Sequence, residues 1–242
     1  LKLIIVDNYH ELSERAADVL VTEVAVKPQA ILGLATGSTP EGMYGRLVKL
    51  NREGKIDFSQ VTTFNLDEYA GLAPEHEQSY YYYMHHHLFN QITIRPEQIN
   101  MPSCDLEDVD QFCREYDQRI AAAGGIDLQV LGIGGNGHIG FNEPGEELRV
   151  HTHLVDLTED TILANSRFFS SAEEVPKQAV TMGLGSIMLS KKIILLAAGK
   201  AKAEAIARSV CGLVTTAVPA SVLQLHGAVT IIVDREAAAL IN

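Results

Sequence analysis

Six short, largely apolar runs recur along the chain: "LKLIIVD" (1–7), "AILGLA" (30–35), "VTTFNL" (61–66), "IDLQVLGI" (126–133), "KKIILLAA" (191–198) and "AVTIIVD" (228–234). Continuous runs of this length read as strands buried on both faces. The stretches between them carry the helical period. In "HELSERAADVLVTEVAV", Leu12, Ala16, Leu20 and Val24 fall on one face. "PEGMYGRLVKLNREG" opens on Pro40, a favoured first helical residue. Further helices are expected from about 78 to 89, from about 105 to 123, and from 200 to about 210. Strands alternating with helices predict an α/β fold: an open, mostly parallel sheet with helices on both faces. At 242 residues and 46% hydrophobic, the chain can bury one large core. No repeat, low-complexity tract or linker divides it, so residues 1–242 are expected to form a single domain.

The formal charge of −12 argues against a nucleic-acid partner, which would demand clustered Lys and Arg. A small phosphorylated molecule needs only a few local donors and stays open. Cys104, Cys113 and Cys211 stand at no metal-like or paired spacing, as suits reduced thiols. No apolar run approaches the roughly 18 residues of a membrane span, and the N-terminal run is too short for a signal peptide. The expectation is a soluble, cytoplasmic protein.

In open sheets of this kind ligands sit beyond the carboxyl ends of the strands. Four such ends carry polar or glycine-rich chemistry: Thr36 to Thr39, Asp67-Glu68, Gly134 to Glu143, and Gly199-Lys200. In "LATGSTP", Thr36, Ser38 and Thr39 flank Gly37 before a helix. A plain cap needs one hydroxyl residue, so this cluster favours an anion held by backbone N–H groups and the helix terminus. It lacks the Gly-Lys-Ser/Thr ending of a triphosphate loop. Lys200 at the next helix start offers a second cation, although most lysines are simply solvated. Asp67 and Glu68 end an apolar strand, where neighbouring carboxylates can shift each other's pKa. They are a poor metal site, since adjacent strand residues point apart and no histidine stands at ligand spacing.

"GIGGNGHIGFNEP" (132–144) poses a choice. Gly132, Gly134 and Gly137 match the spacing of a dinucleotide-binding turn, but that turn needs a helix to follow. Gly140, Pro144 and Gly145 discourage one. What remains is a bendable loop presenting His138 and Glu143. A carboxylate beside an imidazole orients it for proton exchange. "SYYYYMHHHLF" reads as a helix with buried and exposed faces, and consecutive His85 to His87 cannot converge on a metal. His151 and His153 alternate as in a strand and lack a third ligand.

Taken in order, "LGLATGSTPEGMY", "NLDEYAG", "LGIGGNGHIGFNEPG", "ANSRFF" and "LLAAGKAKAEAI" resemble the glucosamine-6-phosphate deaminase family over most of the chain. The pairing of "NLDEY" with "GHIGFNEP" is specific; the related 6-phosphogluconolactonases share the fold but not this pairing. The resemblance implies a Rossmann-like, sugar-phosphate isomerase type of sheet. It implies conversion of glucosamine 6-phosphate and water to fructose 6-phosphate and ammonia, without metal or redox cofactor. Asp67 would move a proton between C2 and C1, and His138, supported by Glu143, would help open the sugar ring. The Thr36, Gly37, Ser38, Thr39 loop with Arg167 and Lys200 would hold the phosphate.

Two departures carry expectations. Many relatives have aspartate two residues before the histidine, where this chain has Asn136; an amide can hydrogen-bond the imidazole but holds no negative charge. Hexameric, allosterically activated relatives carry Arg and Lys where "VHTHLVDL" has His153 and Val155. Absence of activation by N-acetylglucosamine 6-phosphate is therefore expected, with a monomer favoured over a homo-oligomer. Two rival functions are an isomerase of another amino-sugar phosphate, such as galactosamine 6-phosphate, and a non-catalytic sugar-phosphate sensor. The sensor need not keep Asp67, His138 and Glu143 together, and would normally add a DNA-binding module for which this chain has no room.

Overall fold

The computed structural model describes residues 1–103 and 108–241; Cys104 and the first residues of the helix expected from about 105 lie outside them. In chain order the strands and helices are β1 (Lys2–Val6), α1 (Tyr9–Val26), β2 (Ile31–Leu34), α2 (Glu41–Arg52), β3 (Thr62–Asn65), β4 (Asp67–Tyr69), α3 (Tyr80–His87), β5 (Ile99–Asn100), α4 (Val109–Ala122), β6 (Leu128–Leu131), β7 (His153–Asp156), α5 (Glu159–Asn165), β8 (Gln178–Thr181), α6 (Leu184–Met188), β9 (Lys192–Ala197), α7 (Ala203–Cys211) and β10 (Val229–Asp234).

Seven strands pair in parallel in the order β1-β10-β9-β6-β2-β3-β5. From β2 the chain moves outward to β3 and β5. It then returns to the other side of β2 with β6 and moves away again through β9 and β10. That reversal opens a crevice between the carboxyl ends of β2 and β6, the place where such sheets bind ligands. β2 and β6 are buried at every position. Successive side chains point to opposite faces, so both faces of the sheet are covered. Each fully buried Leu or Ile there contributes about 1.5–3 kcal/mol. The run "LKLIIVD" is a correction: β1 is an edge strand beside β10, with Lys2 and Ile5 exposed. An apolar run does not by itself tell an edge from a centre.

Helix α1 shows how local chemistry sets an element's limits. Asn8 caps it, its side chain accepting the Glu11 N–H at 3.0 Å, while the Glu11 carboxylate accepts the Asp7 N–H. Leu12, Ala16, Leu20 and Val24 are buried at four-residue spacing. Lys27 ends the helix, because the residue before Pro28 is disfavoured in the α region.

A second sheet, β4-β8-β7, is antiparallel and was not foreseen. Leu66 joins the two. Its N–H donates to the Leu34 carbonyl at 3.1 Å and its own carbonyl accepts from Met182 N–H at 2.6 Å. Asp67 therefore emerges where the large sheet hands the chain to the small one. A separate apolar cluster of Tyr69, Phe141, Leu157 and Ala179 packs under this junction.

Candidate active site

A cavity of about 630 Å³ lies at the crevice. Its wall is built by the loop after β2, by Asp67 and Tyr69, by the loop after β6, by α5 with the turn that follows it, and by Lys202.

At one end, Thr36, Gly37, Ser38 and Thr39 line the wall. Gly37 takes φ +93°, open only to glycine at low cost. Two phenols hold the loop's carbonyls: Tyr83 donates to the Gly37 carbonyl at 2.7 Å and Tyr9 to the Ser38 carbonyl at 2.9 Å. With those carbonyls engaged, no protein acceptor among the described residues takes the N–H groups of Gly37, Ser38 or Thr39. Such a row of free N–H groups before a helix is an anion cradle. Arg167 and Lys202 line the same cavity. Burial, then the positive charge of Arg167, lowers the Lys202 pKa. Among the described residues neither cation has a carboxylate partner, so an anion is what the pair lacks.

Lys200, the lysine expected here, does not line the cavity; Lys202 does. Gly199, at φ +86°, donates its N–H to both oxygens of Asp234, at 3.1 and 2.9 Å. Residues 200–202 then form a 3-10 turn. With about three residues per turn, positions 200 and 202 face different ways, and Lys200 is exposed.

Deeper in, Asp67 is 6% exposed, and among the described residues no donor reaches its carboxyl. Burial, then the charge of Glu68, pushes its pKa up to about 8. Glu68 points the other way, as adjacent strand residues must. Its carboxylate accepts the N–H groups of Tyr69, Tyr80 and Tyr81 at 2.8, 2.9 and 2.7 Å, and so caps α3. Burial raises its pKa against those three bonds.

No helix follows Gly137, and the dinucleotide reading falls with it. The loop instead folds the His138 ring over Gly134, where a Cβ would stand 2.2 Å from its Cε1. His138 Nδ1 lies 3.2 Å from Glu143 Oε2, which also accepts from Asn136 Nδ2 at 2.8 Å; Thr161 donates to Oε1. Burial opposes ionisation of Glu143, but the hydrogen bond and charge of His138, with those of Thr161 and Asn136, hold its pKa below the usual range. Asn136 does not reach the imidazole, as expected of it. Its side-chain oxygen accepts the His138 backbone N–H at 3.1 Å while its amide serves the carboxylate.

Asp67, Asn136, His138 and Arg167 thus share one cavity with the Thr36–Thr39 loop, and Glu143 stands one hydrogen bond behind His138. Tyr80, Tyr82, Tyr83 and His87 also line it, although "SYYYYMHHHLF" offered only a two-faced helix. The signal was the position of α3 beside the Thr36–Thr39 loop, which no spacing shows. Among the described residues no group of three or more His, Cys, Asp or Glu could hold a metal ion.

A cavity at the strand-order reversal of an open α/β sheet is where enzymes of this class bind small molecules. A family model described as glucosamine-6-phosphate isomerases/6-phosphogluconolactonase matches residues 7–232, and the chain belongs to that family. The glucosamine-6-phosphate deaminase of Thermoanaerobacter sp. (strain X514) is 58% identical over 241 residues, covering 100% of this chain and 95% of that protein. The deaminase of Halothermothrix orenii is 54% identical, with 100% of both covered. A solved structure of a monomeric glucosamine-6-phosphate deaminase matches with TM-score 0.97 and 45% identity, over 99% of this chain and 100% of that one. The 6-phosphogluconolactonase of Thermotoga maritima, 19% identical with TM-score 0.70 over 96% of this chain and 98% of that one, shares the fold alone.

Proposed function

We propose that this chain converts glucosamine 6-phosphate and water into fructose 6-phosphate and ammonia. The observation that carries this reading is a single cavity lined by the Thr36–Thr39 loop with Arg167 and Lys202 and by Asp67 and His138. Phosphate rests on the Gly37 to Thr39 N–H groups, with Arg167 and Lys202 as its cations. His138, oriented by Glu143 and indirectly by Asn136, takes the proton of the C1 hydroxyl and delivers it to the ring oxygen, so that the C1–O bond of the ring breaks as the C1 carbonyl forms. Asp67 then carries a proton from C2 to C1 on one face of the open chain. The substrate's amine supplies the positive charge that the buried Asp67 lacks, which favours its ionised, basic form. The nitrogen becomes an imine on the new ketose carbon, and water releases it as ammonia. Anchoring the remote phosphate contributes binding energy that orients the reacting end.

A monomer without activation by N-acetylglucosamine 6-phosphate fits the same reading. His153 and Val155 stand on β7, at the stretch where the family resemblance puts cations in activated relatives, and one relative of known structure is described as monomeric. Among the described residues no helix is long and apolar enough to cross a membrane. The deciding experiment is ammonia release from glucosamine 6-phosphate beside galactosamine 6-phosphate. Release from the first at least about tenfold faster supports the assignment; preference for the second, or no release from either, overturns it.

A further inference from the structure

Helix α5 crosses beside the cavity and touches the carriers of both proton-transfer groups. Near its start, Thr161 is 3% exposed, and its hydroxyl donates to Oε1 of Glu143. That is the oxygen which His138 and Asn136 leave free, since both use Oε2. Beside it, Ile162 packs against the apolar cluster that contains Tyr69, two residues from Asp67 on β4. The helix runs directly into the 3-10 turn Ser166–Phe168, which carries Arg167. Thr158 caps the helix by accepting the Thr161 N–H at 3.3 Å, so the backbone at Thr161 is pinned as well. A helical threonine ordinarily turns its hydroxyl to a carbonyl in the preceding turn or to water. This one is spent on a buried carboxylate.

We propose that Thr161 is a positioning residue for the reaction above, on which this inference rests: its hydroxyl locks the Glu143–His138 pair to the helix that leads into the turn bearing Arg167. With Oε2 held by two partners and Oε1 by none, the Glu143 carboxylate would turn about its terminal torsion, and the imidazole would lose its fixed direction. With Thr161 in place, both oxygens are held, and the pair is referenced to the element that meets the phosphate.

The test compares Thr161→Val, which removes the donor at nearly constant volume, with Thr161→Ser, which keeps it. Hydrogen bonds to charged groups set the scale of the effect. Thr161→Val should lower kcat about 10- to 100-fold with KM within about threefold, and Thr161→Ser should stay within about threefold of wild type. A readout free of substrate is the carboxyl titration of Glu143 by carbon NMR. Loss of a donor to the anion should move it to higher pH in Thr161→Val and leave it in place in Thr161→Ser. Wild-type rates and titration in the Val variant overturn the proposal, as does a Ser variant as impaired as Val, which would mean that the methyl group matters. If the Val variant does not fold, Thr161→Ala read against Thr161→Ser by the same two measures decides. Wild-type ammonia release tests the assigned reaction separately; if it is absent, the Glu143 titration still decides the role of Thr161.

Discussion

Two aspartates are buried at opposite ends of the parallel sheet, and the protein keeps them in opposite states. Asp127 precedes β6 at the amino end and is 2% exposed. It accepts from the Nζ atoms of Lys27 and Lys191, each at 2.7 Å, and from the Ile31 N–H at 2.8 Å. Burial opposes its charge, but these donors outweigh burial and hold its pKa below the ordinary value. Asp67, past the carboxyl end of β3, is 6% exposed and has no donor among the described residues, so its pKa stands at about 8. Burial alone does not set the charge of a carboxyl group; its partners do. At the amino end the charge is neutralised within the fold. At the carboxyl end no donor among the described residues offsets burial, which disfavours the charged carboxylate.

The largest effect should come from Asp67→Asn. Removing a positioned acid–base group should cut turnover by about 100- to 10,000-fold while making the fold more stable. The folded Asp67 carboxyl keeps its proton up to about pH 8, and the unfolded one only to about 4. Stability therefore falls as pH rises between those values, and the wild type carries the whole deficit above pH 8. In urea at pH 9 the Asn variant should gain at least about 1 kcal/mol, and at pH 4 the two should match. Equal stability at pH 9 would break the contrast with Asp127.

Next, Lys202→Ala should raise KM about 10- to 100-fold through loss of a charge-assisted contact, whereas Lys200→Ala stays within about twofold. Steady-state kinetics showing equal effects would undo the placement of the cavity's cations. At the amino end, Asp127→Asn should cost about 1–2 kcal/mol at pH 7 with activity unchanged, the partly exposed lysines limiting the loss. Because the folded pKa of Asp127 is depressed, its contribution is present above the unfolded pKa and disappears as pH falls through the folded one. Urea titrations at pH 7 and pH 3 check this. The smallest effect belongs to Tyr83→Phe, which releases the Gly37 carbonyl; KM should rise about three- to tenfold with little change in kcat.

The large sheet was legible because its strands advertise themselves locally. "AILGLA" and "IDLQVLGI" became β2 and β6 within two residues of their runs. The antiparallel sheet was not legible, since β4 is only "DEY" and β7 and β8, as short as β2 and β6, lack their continuous apolar runs; only the alternation of His151 and His153 hinted at β7. The same split runs through the site. Thr36 to Thr39, Asp67 and His138 could be picked out because loop chemistry at a strand end is a local signal. Lys202 could not be told from Lys200 without the turn set by Gly199 and Asp234. Thr161 carried no signal at all, because its partner Glu143 comes from another loop.

Sequence alone determined the menu of elements and the residue types able to bind an anion or move a proton, because apolar period and turn chemistry act over a few neighbours. The tertiary structure decided which of them meet. The reversal of strand order at β2 and β6 creates the crevice, and the surroundings of Asp67 and Asp127 shift their pKa values in opposite directions. Desolvation and pairing depend on what the fold brings from far along the chain.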